Sequence, residues 1–247
     1  LQALTFRVNG DGERVRTASD LLFSKSLALE LQPWAVPTEL VHDPLASFTA
    51  VRGAQSWVSK LCASNDLPPG RSIGQFFFWS QDLTPLQTYL AAPISDATNF
   101  VSVTATGLLS RLNPILEKKA AGRLERTSSG VGVYWTGLPW MSPFLETALS
   151  GTNQYVLLSL LPYLVTNQPP PAALLEALTG QSNLVAYQWE LTEPEVRSWI
   201  YKSQFARLLL ELPQLPPESA AMGWLLAIAP KLGNCITTVT RTAPNQL

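Results

Sequence analysis

Charged residues are scarce in this 247-residue chain. Lys, Arg, Asp and Glu make up 14% of it, against roughly 25% in an average soluble domain. The formal net charge is -1, so electrostatics gives no reason to expect nucleic acid or an acidic membrane as a partner. Hydrophobic residues make up 46%. This content excludes disorder, since a disordered chain combines low hydrophobicity with high net charge.

Side chains that ligate metals or act as general bases are almost missing. The chain has one histidine, His42, and two cysteines, Cys62 and Cys235. A zinc site needs three or four His, Cys or carboxylate ligands. There is no G-x-S-x-G elbow and no Walker sequence, and Gly130-x-Gly132 lacks the third glycine of a dinucleotide fingerprint. NGDGE at 9–13 is too short for a calcium loop. We therefore predict no metal and no cofactor.

The two cysteines do not decide in which cellular compartment the protein lies. A Cys62–Cys235 disulfide would imply an oxidising compartment, whereas two unrelated buried thiols would imply nothing. Low charge, few lysines and many Gln, Thr and Asn residues are associated with exported bacterial proteins. The chain begins at Leu1, which we interpret as a processed or excised piece. We expect an extracytoplasmic location, periplasmic or secreted.

Long hydrophobic runs are also missing. No stretch reaches the ~18 uncharged apolar residues of a membrane-spanning helix. The nearest run, 155–165, contains Pro162, and we predict a core helix over 154–165. The sequence thus predicts no transmembrane segment.

Proline and tryptophan are abundant, with 20 and 8 residues. The most informative stretch is 184–212, where an apolar run predicts a strand over 184–191 and a helix begins at Thr192. Thr192 and Glu195 have the spacing of a capping box, in which the carboxylate returns to the Thr192 amide.

Two other tryptophans stand in similar surroundings. Trp79, Trp135 and Trp189 each end a predicted strand, and each is followed by a short loop and a predicted helix with an early proline. The spacing of about 55 residues is typical of a duplicated strand–helix unit. The alternative is that strand-to-helix junctions in general use Thr, Ser and Pro.

Periodicity assigns the remaining elements. Strands are predicted at 3–8, 14–18, 27–31, 75–79, 100–106, 123–127, 131–135 and 236–241, and helices at 53–62, 84–90, 107–121, from 142, 171–179 and, after residues 216–219, to about 232. This order predicts an α+β fold, with a mostly antiparallel or mixed sheet of about six to nine strands and helices packed largely on one face. We expect a single domain over 1–247, with sub-domains 1–125 and 126–247 as the alternative.

The segment YWTGLPWMSPF (134–144) concentrates aromatic residues and prolines. If exposed, it would mark an interaction surface, for which the candidates are Tyr134, Trp140 and Met141. If buried, it is a corner of the core. A third interpretation concerns Glu190, Glu193 and Glu195, because two carboxylates about 5–10 Å apart in one cleft would support a hydrolase.

Three segments, LVHDPLASFTAVRG, LVAYQWELT and LAIAPKLGNCITTVT, resemble parts of uncharacterised extracytoplasmic bacterial proteins. The resemblance implies an exported domain and transfers no functional residue. We expect a non-enzymatic extracytoplasmic domain for binding or assembly, whose partner is a protein or a small apolar ligand. The alternatives are a carrier of apolar ligands or lipids, which would need an apolar pocket of several hundred cubic ångströms, and a carboxylate-dependent hydrolase.

Overall fold

A computed structural model describes residues 1–10, 12, 14–64, 73–81, 86–138, 141–162, 168–209 and 220–247. The strands are, in chain order, β1 (Ala3–Gly10), β2 (Val15–Leu22), β3 (Leu45–Arg52), β4 (Gln75–Gln81), β5 (Thr88–Pro93), β6 (Arg123–Arg126), β7 (Val133–Thr136), β8 (Phe144–Ser150), β9 (Asn153–Ser159), β10 (Leu184–Leu191) and β11 (Asn234–Thr240). The helices are α1 (Gln55–Ser64), α2 (Ala97–Lys118), α3 (Ala172–Thr179), α4 (Thr192–Leu209) and α5 (Ala220–Ile228), and a 3-10 turn follows at Ala229–Lys231.

Nine strands form one sheet in the order β11-β10-β3-β4-β5-β9-β8-β7-β6, and β1 and β2 form a separate hairpin. Every described strand pairing is antiparallel. The predicted α+β fold is confirmed. Strands β3, β4 and β5 from the first half of the chain lie between β10 and β9 from the second half, so both halves contribute to one sheet.

The largest buried side chains lie on one face of this sheet. Phe77 and Trp79 of β4 are fully buried there, and the ring of Tyr89 in β5 stacks on Trp79 at a centroid distance of 5.2 Å. Leu174 and Leu178 of α3 pack into the same cluster. Alternation along each strand brings these side chains to one side, and α3 covers them.

The opposite face is covered by α1, α2 and α4. Val101 and Ala105 of α2 pack against Val133 and Leu145, which come from β7 and β8. Val58 of α1 belongs to a neighbouring cluster, and α4 lies against β3 and β10. Three helices therefore share one face of the sheet and α3 lies on the other, as the predicted arrangement requires. Among the described helices, none combines the length and the apolar character needed to cross a membrane.

The predicted helix at 84–90 is wrong over the residues that the structure describes. Residues 88–93 form β5, and Thr84 lies outside the described part of the chain. Tyr89 and Ala91 alternate inward at 0% exposure. Pairing with β4 on one side and β9 on the other therefore outweighed the local signal of a capping box.

The helices predicted from Ser142 and over 154–165 are also wrong. They are replaced by the antiparallel pair β8 and β9, while residues 163–167 lie outside the described residues. Tyr155, Leu157 and Ser159 are all nearly fully buried at spacing two, which is the period of a strand. A short apolar run fits both periods, and here burial against neighbouring strands decided between them.

The strand predicted at 100–106 is wrong in the opposite sense, because α2 begins at Ala97 and runs through it. The Asp96 carboxylate caps this helix by accepting from the Asn99 amide at 3.4 Å. Val101 and Ala105, four residues apart, form its buried stripe. The strand predicted at 27–31 is irregular chain.

The three tryptophans of the proposed repeat do lie in strands, namely β4, β7 and β10. Among the described elements, only the strand of Trp189 leads directly into a helix, since the next described element after β4 and after β7 is another strand. The strand–helix repeat of about 55 residues is therefore not supported. The confirmed junction is the one at 191–192, where β10 ends and α4 begins.

Candidate functional site

An apolar cleft of about 430 Å³ opens between α3 and the end of the sheet formed by β10 and β11. Tyr187 and Trp189 line it from β10, and Ile236 and Thr238 line it from the edge strand β11. The α3 side of the cleft is formed by Pro171, Ala173, Leu174 and Ala177. The cleft thus lies on the face of the sheet that α3 covers.

Strand register explains why these side chains share one wall. Trp189 is paired with Ile236, and Tyr187 is paired with Thr238. Directly paired residues of antiparallel strands point to the same face. Alternation within β10 and β11 therefore aims all four side chains towards α3.

Small residues in α3 leave the space open. Leu174 and Leu178 anchor the helix in the core at 4% and 0% exposure. Ala173 and Ala177 are four residues apart, so they share the side of the helix that borders the cleft. A methyl side chain at both positions leaves a gap between the helix and Trp189 that larger residues would fill.

The chemistry of the lining is nearly all apolar. None of the eight lining residues carries a formal charge at neutral pH, and none is a carboxylate, histidine, cysteine or serine. Burial raises the pKa of the Tyr187 phenol, which keeps it neutral. The polar groups of this lining are the Tyr187 phenol and the Thr238 hydroxyl, and a lining of this kind favours an uncharged apolar ligand.

Two of the three residues predicted as an interaction surface, Tyr134 and Met141, lie away from the cleft. Tyr134 is a half-buried residue of β7, and its hydroxyl donates to the Glu125 carboxylate at 2.8 Å. That hydrogen bond and the Arg123 guanidinium lower the pKa of Glu125. Met141 is 8% exposed, and Trp140 lies outside the described residues. Neither Tyr134 nor Met141 is among the residues that line the cleft.

The predicted capping box at Thr192 and Glu195 is wrong. The Thr192 hydroxyl donates to the carbonyl of Gly233 at 2.8 Å, so it ties the start of α4 to the start of β11. The Glu195 carboxylate is turned inward and accepts from the Ser80 hydroxyl at 3.0 Å. A sequence spacing cannot reveal this, because the competing partner comes from β4, 115 residues away.

Glu195 belongs to a buried polar cluster beneath α4. The Ser47 and Ser80 hydroxyls lie 2.7 Å apart, and the Lys202 ammonium is 4.0 Å from Glu195. Desolvation lowers the pKa of Lys202, and the charge of Glu195 opposes that shift. The cluster holds α4 against β3 and β4, on the opposite face of the sheet from the cleft.

The other two carboxylates named from the sequence are engaged locally. Glu190 accepts from the Gln188 amide at 2.8 Å, and Glu193 forms an exposed ion pair with Arg197 at 2.7 Å. Glu190 lies in β10, where it is paired with Ser47 and points away from Trp189. Neither carboxylate lines the apolar cleft.

The remaining candidates have structural surroundings. The His42 Nδ1 atom lies 3.1 Å from the carbonyl oxygen of Gln168, which is a contact between two loops. Cys235 is a free, exposed thiol in β11, and the Cys62 side chain lies outside the described residues. Within the described part of the chain, no group of three or more His, Cys, Asp or Glu residues could hold a metal ion.

Comparison of the chain with protein-family models, with curated proteins and with solved structures gives no match. The cleft and its lining are therefore the basis for the function proposed below.

Proposed function

We propose that this protein is a non-catalytic binding domain that holds an uncharged apolar ligand in the cleft between α3 and β10–β11. One observation carries the proposal, namely a cleft of about 430 Å³ whose lining has no formal charge. Ligand sites are concave, mostly apolar and of about 300–1,000 Å³. The aromatic rings of Tyr187 and Trp189 would supply most of the contact area.

An uncharged solvatochromic dye such as Nile red tests the proposal. We expect saturable binding with a blue shift of the dye and quenching of the indole emission. Ala173→Trp fills the cleft from an exposed position of α3, and removing about 60 Å² of apolar contact corresponds to roughly tenfold weaker binding.

Ala172→Trp is the matched control for this experiment. Ala172 is the adjacent exposed residue of α3 and does not line the cleft, so its replacement should change the dissociation constant less than about twofold, within the usual effect of a surface substitution. Equal weakening by both variants, or no saturable binding by the unmodified protein, would refute the proposal.

We also propose that the domain acts outside the cytoplasm. Its low charge and its many Gln, Thr and Asn residues support this location. Fractionation of the cells that naturally produce the protein, followed by immunodetection, tests it. Detection in the cytoplasmic fraction alone would refute it.

A further inference from the structure

The β1–β2 hairpin projects from the molecule with an apolar face that nothing covers among the described residues. Leu4, Phe6, Val8 and Val15 share that face, and they are between 57% and 77% exposed. At its base the hairpin is tied to the rest of the described chain by backbone hydrogen bonds between residues 21–23 and 245–247. A two-stranded ribbon gains independent stability from a covering layer or a third strand.

Among the described residues, the edge strand β11 lacks a second neighbouring strand. Among the described strands it pairs with β10 alone, and its sequence, NCITTVT, contains no charge and no proline. Proteins usually protect an edge strand with such residues. Ile236 in this strand is 62% exposed and stands at the mouth of the apolar cleft.

We propose that the protein forms a two-fold symmetric dimer in which the hairpin of each copy pairs with β11 of the other. This inference rests on the proposed function, because the hairpin of the partner copy is the apolar group that enters the cleft. A strand added to β11 places alternate side chains on the face of Ile236 and Thr238. Leu4, Phe6 and Val8 have that spacing, and β1 and β11 have eight and seven residues.

The buried area favours this arrangement over direct contact between the hairpins of two copies. Complete burial of one side chain of this size removes ~60–120 Å² of apolar surface from water. Because the four side chains are already partly buried, together they present about 250 Å² of exposed apolar surface. Face-to-face contact of two hairpins would bury roughly 500 Å², which is the size of a crystal-packing contact. Two reciprocal contacts bury about 1,000 Å² of side-chain surface, and the backbone pairing brings the total to the ~1,200 Å² of a specific interface.

Sedimentation velocity over a range of concentrations tests the dimer. We expect a dimer for the unmodified protein, and a dissociation constant raised at least tenfold by Phe6→Glu in the hairpin and likewise by Ile236→Glu in β11, the effect of about 1.4 kcal/mol. Trp57→Glu is the matched control, because Trp57 in α1 is 65% exposed and lies outside both surfaces. A monomer at every concentration, or a dimer that survives Ile236→Glu, would overturn the inference.

A cysteine scan adds a test of the predicted face. Cys235 points away from the cleft, so Ala3→Cys, Thr5→Cys or Arg7→Cys should bring a second thiol near it in the partner copy. We expect at least one of these variants to form a disulfide-linked dimer on oxidation, and the band to disappear when Cys235→Ser is added. Crosslinking that is equally efficient from Leu4→Cys, Phe6→Cys and Val8→Cys would contradict the predicted face.

Dye binding distinguishes the two proposals. Phe6→Glu frees the cleft, so this variant should bind Nile red more tightly than the unmodified protein, whose binding stays saturable but is weakened by competition with the hairpin of the partner copy. If the unmodified protein is monomeric and binds the dye, the dimer is refuted and the proposed function stands. If neither protein binds the dye, the proposed function is refuted.

Discussion

Arg52 at the end of β3 is expected to stabilise the fold more than any exposed ion pair. It is 4% exposed, and its guanidinium donates to the carbonyls of Leu184 at 2.7 Å, Gln32 at 2.7 Å and Ser182 at 2.6 Å. The charge lies 4.7 Å from the centroid of the Trp34 ring. No described carboxylate is within ion-pair distance, and burial lowers the pKa of the guanidinium.

The cost of Arg52→Met follows from these contacts. Three hydrogen bonds from a charged donor are worth about 1.5–3 kcal/mol each, or roughly 5–9 kcal/mol in total. Removal of a buried charge returns several kcal/mol of desolvation free energy. We therefore expect a net loss of about 3 kcal/mol in the free energy of unfolding.

Urea denaturation followed by circular dichroism measures this loss, and the melting temperature should fall by about 6–12 °C for a chain of this size. Arg52→Lys should recover little, because a single ammonium group cannot reach carbonyls on several sides as the guanidinium does. Arg197→Met removes an exposed ion pair with Glu193 and should cost less than about 0.5 kcal/mol. A loss below about 1 kcal/mol for Arg52→Met would refute the reasoning.

Three further predictions concern β8, α4 and the aromatic segment. Burial raises the pKa of the Glu146 carboxyl. The stability of the unmodified protein should therefore fall as the pH rises from about 4.3, the pKa of an unfolded glutamate, to the pKa in the folded state. Urea titrations should show that Glu146→Gln stabilises the protein near pH 7 and not near pH 3. Lys202→Met and Glu195→Gln should each cost about 1–3 kcal/mol, and the double variant less than their sum, which a double-mutant cycle measures. Trp140→Ala should stay folded by circular dichroism but lose a ligand or partner, and an unfolded variant would instead make Trp140 a core residue.

The comparison of sequence and structure shows where local signals suffice. The junction of β10 and α4, the α3 helix and the hairpins β1–β2 and β6–β7 follow from the alternation and the turn residues of their own segments. The signals failed at β5, β8 and β9, where short apolar runs fit the periods of both a helix and a strand. Their neighbours in the sheet chose the strand, because pairing and burial on both sides outweigh the propensity of a single segment.

The candidate site was visible only in part. The apolar run at 184–191 indicated a half- or fully buried strand, and the alternation at 236–241 indicated a second strand. Nothing in either segment indicated that the two would be neighbours, or that the alanines of α3 would leave a gap over them. The aromatic segment at 134–144 drew attention instead because its composition is unusual, and composition does not tell on which side of a strand a ring lies.

By itself, the sequence determined the α+β class, the low charge and the absence of a recognisable catalytic or metal-binding motif, because these depend on residue types and short-range periodicity. Only the tertiary structure decided that β10 pairs with β11, that Glu195 turns inward to Ser80 and that an apolar cleft remains beside α3. Each of these features joins residues far apart in the chain. Contacts of that kind are selected by the free energy of burying whole faces together, which no single segment encodes.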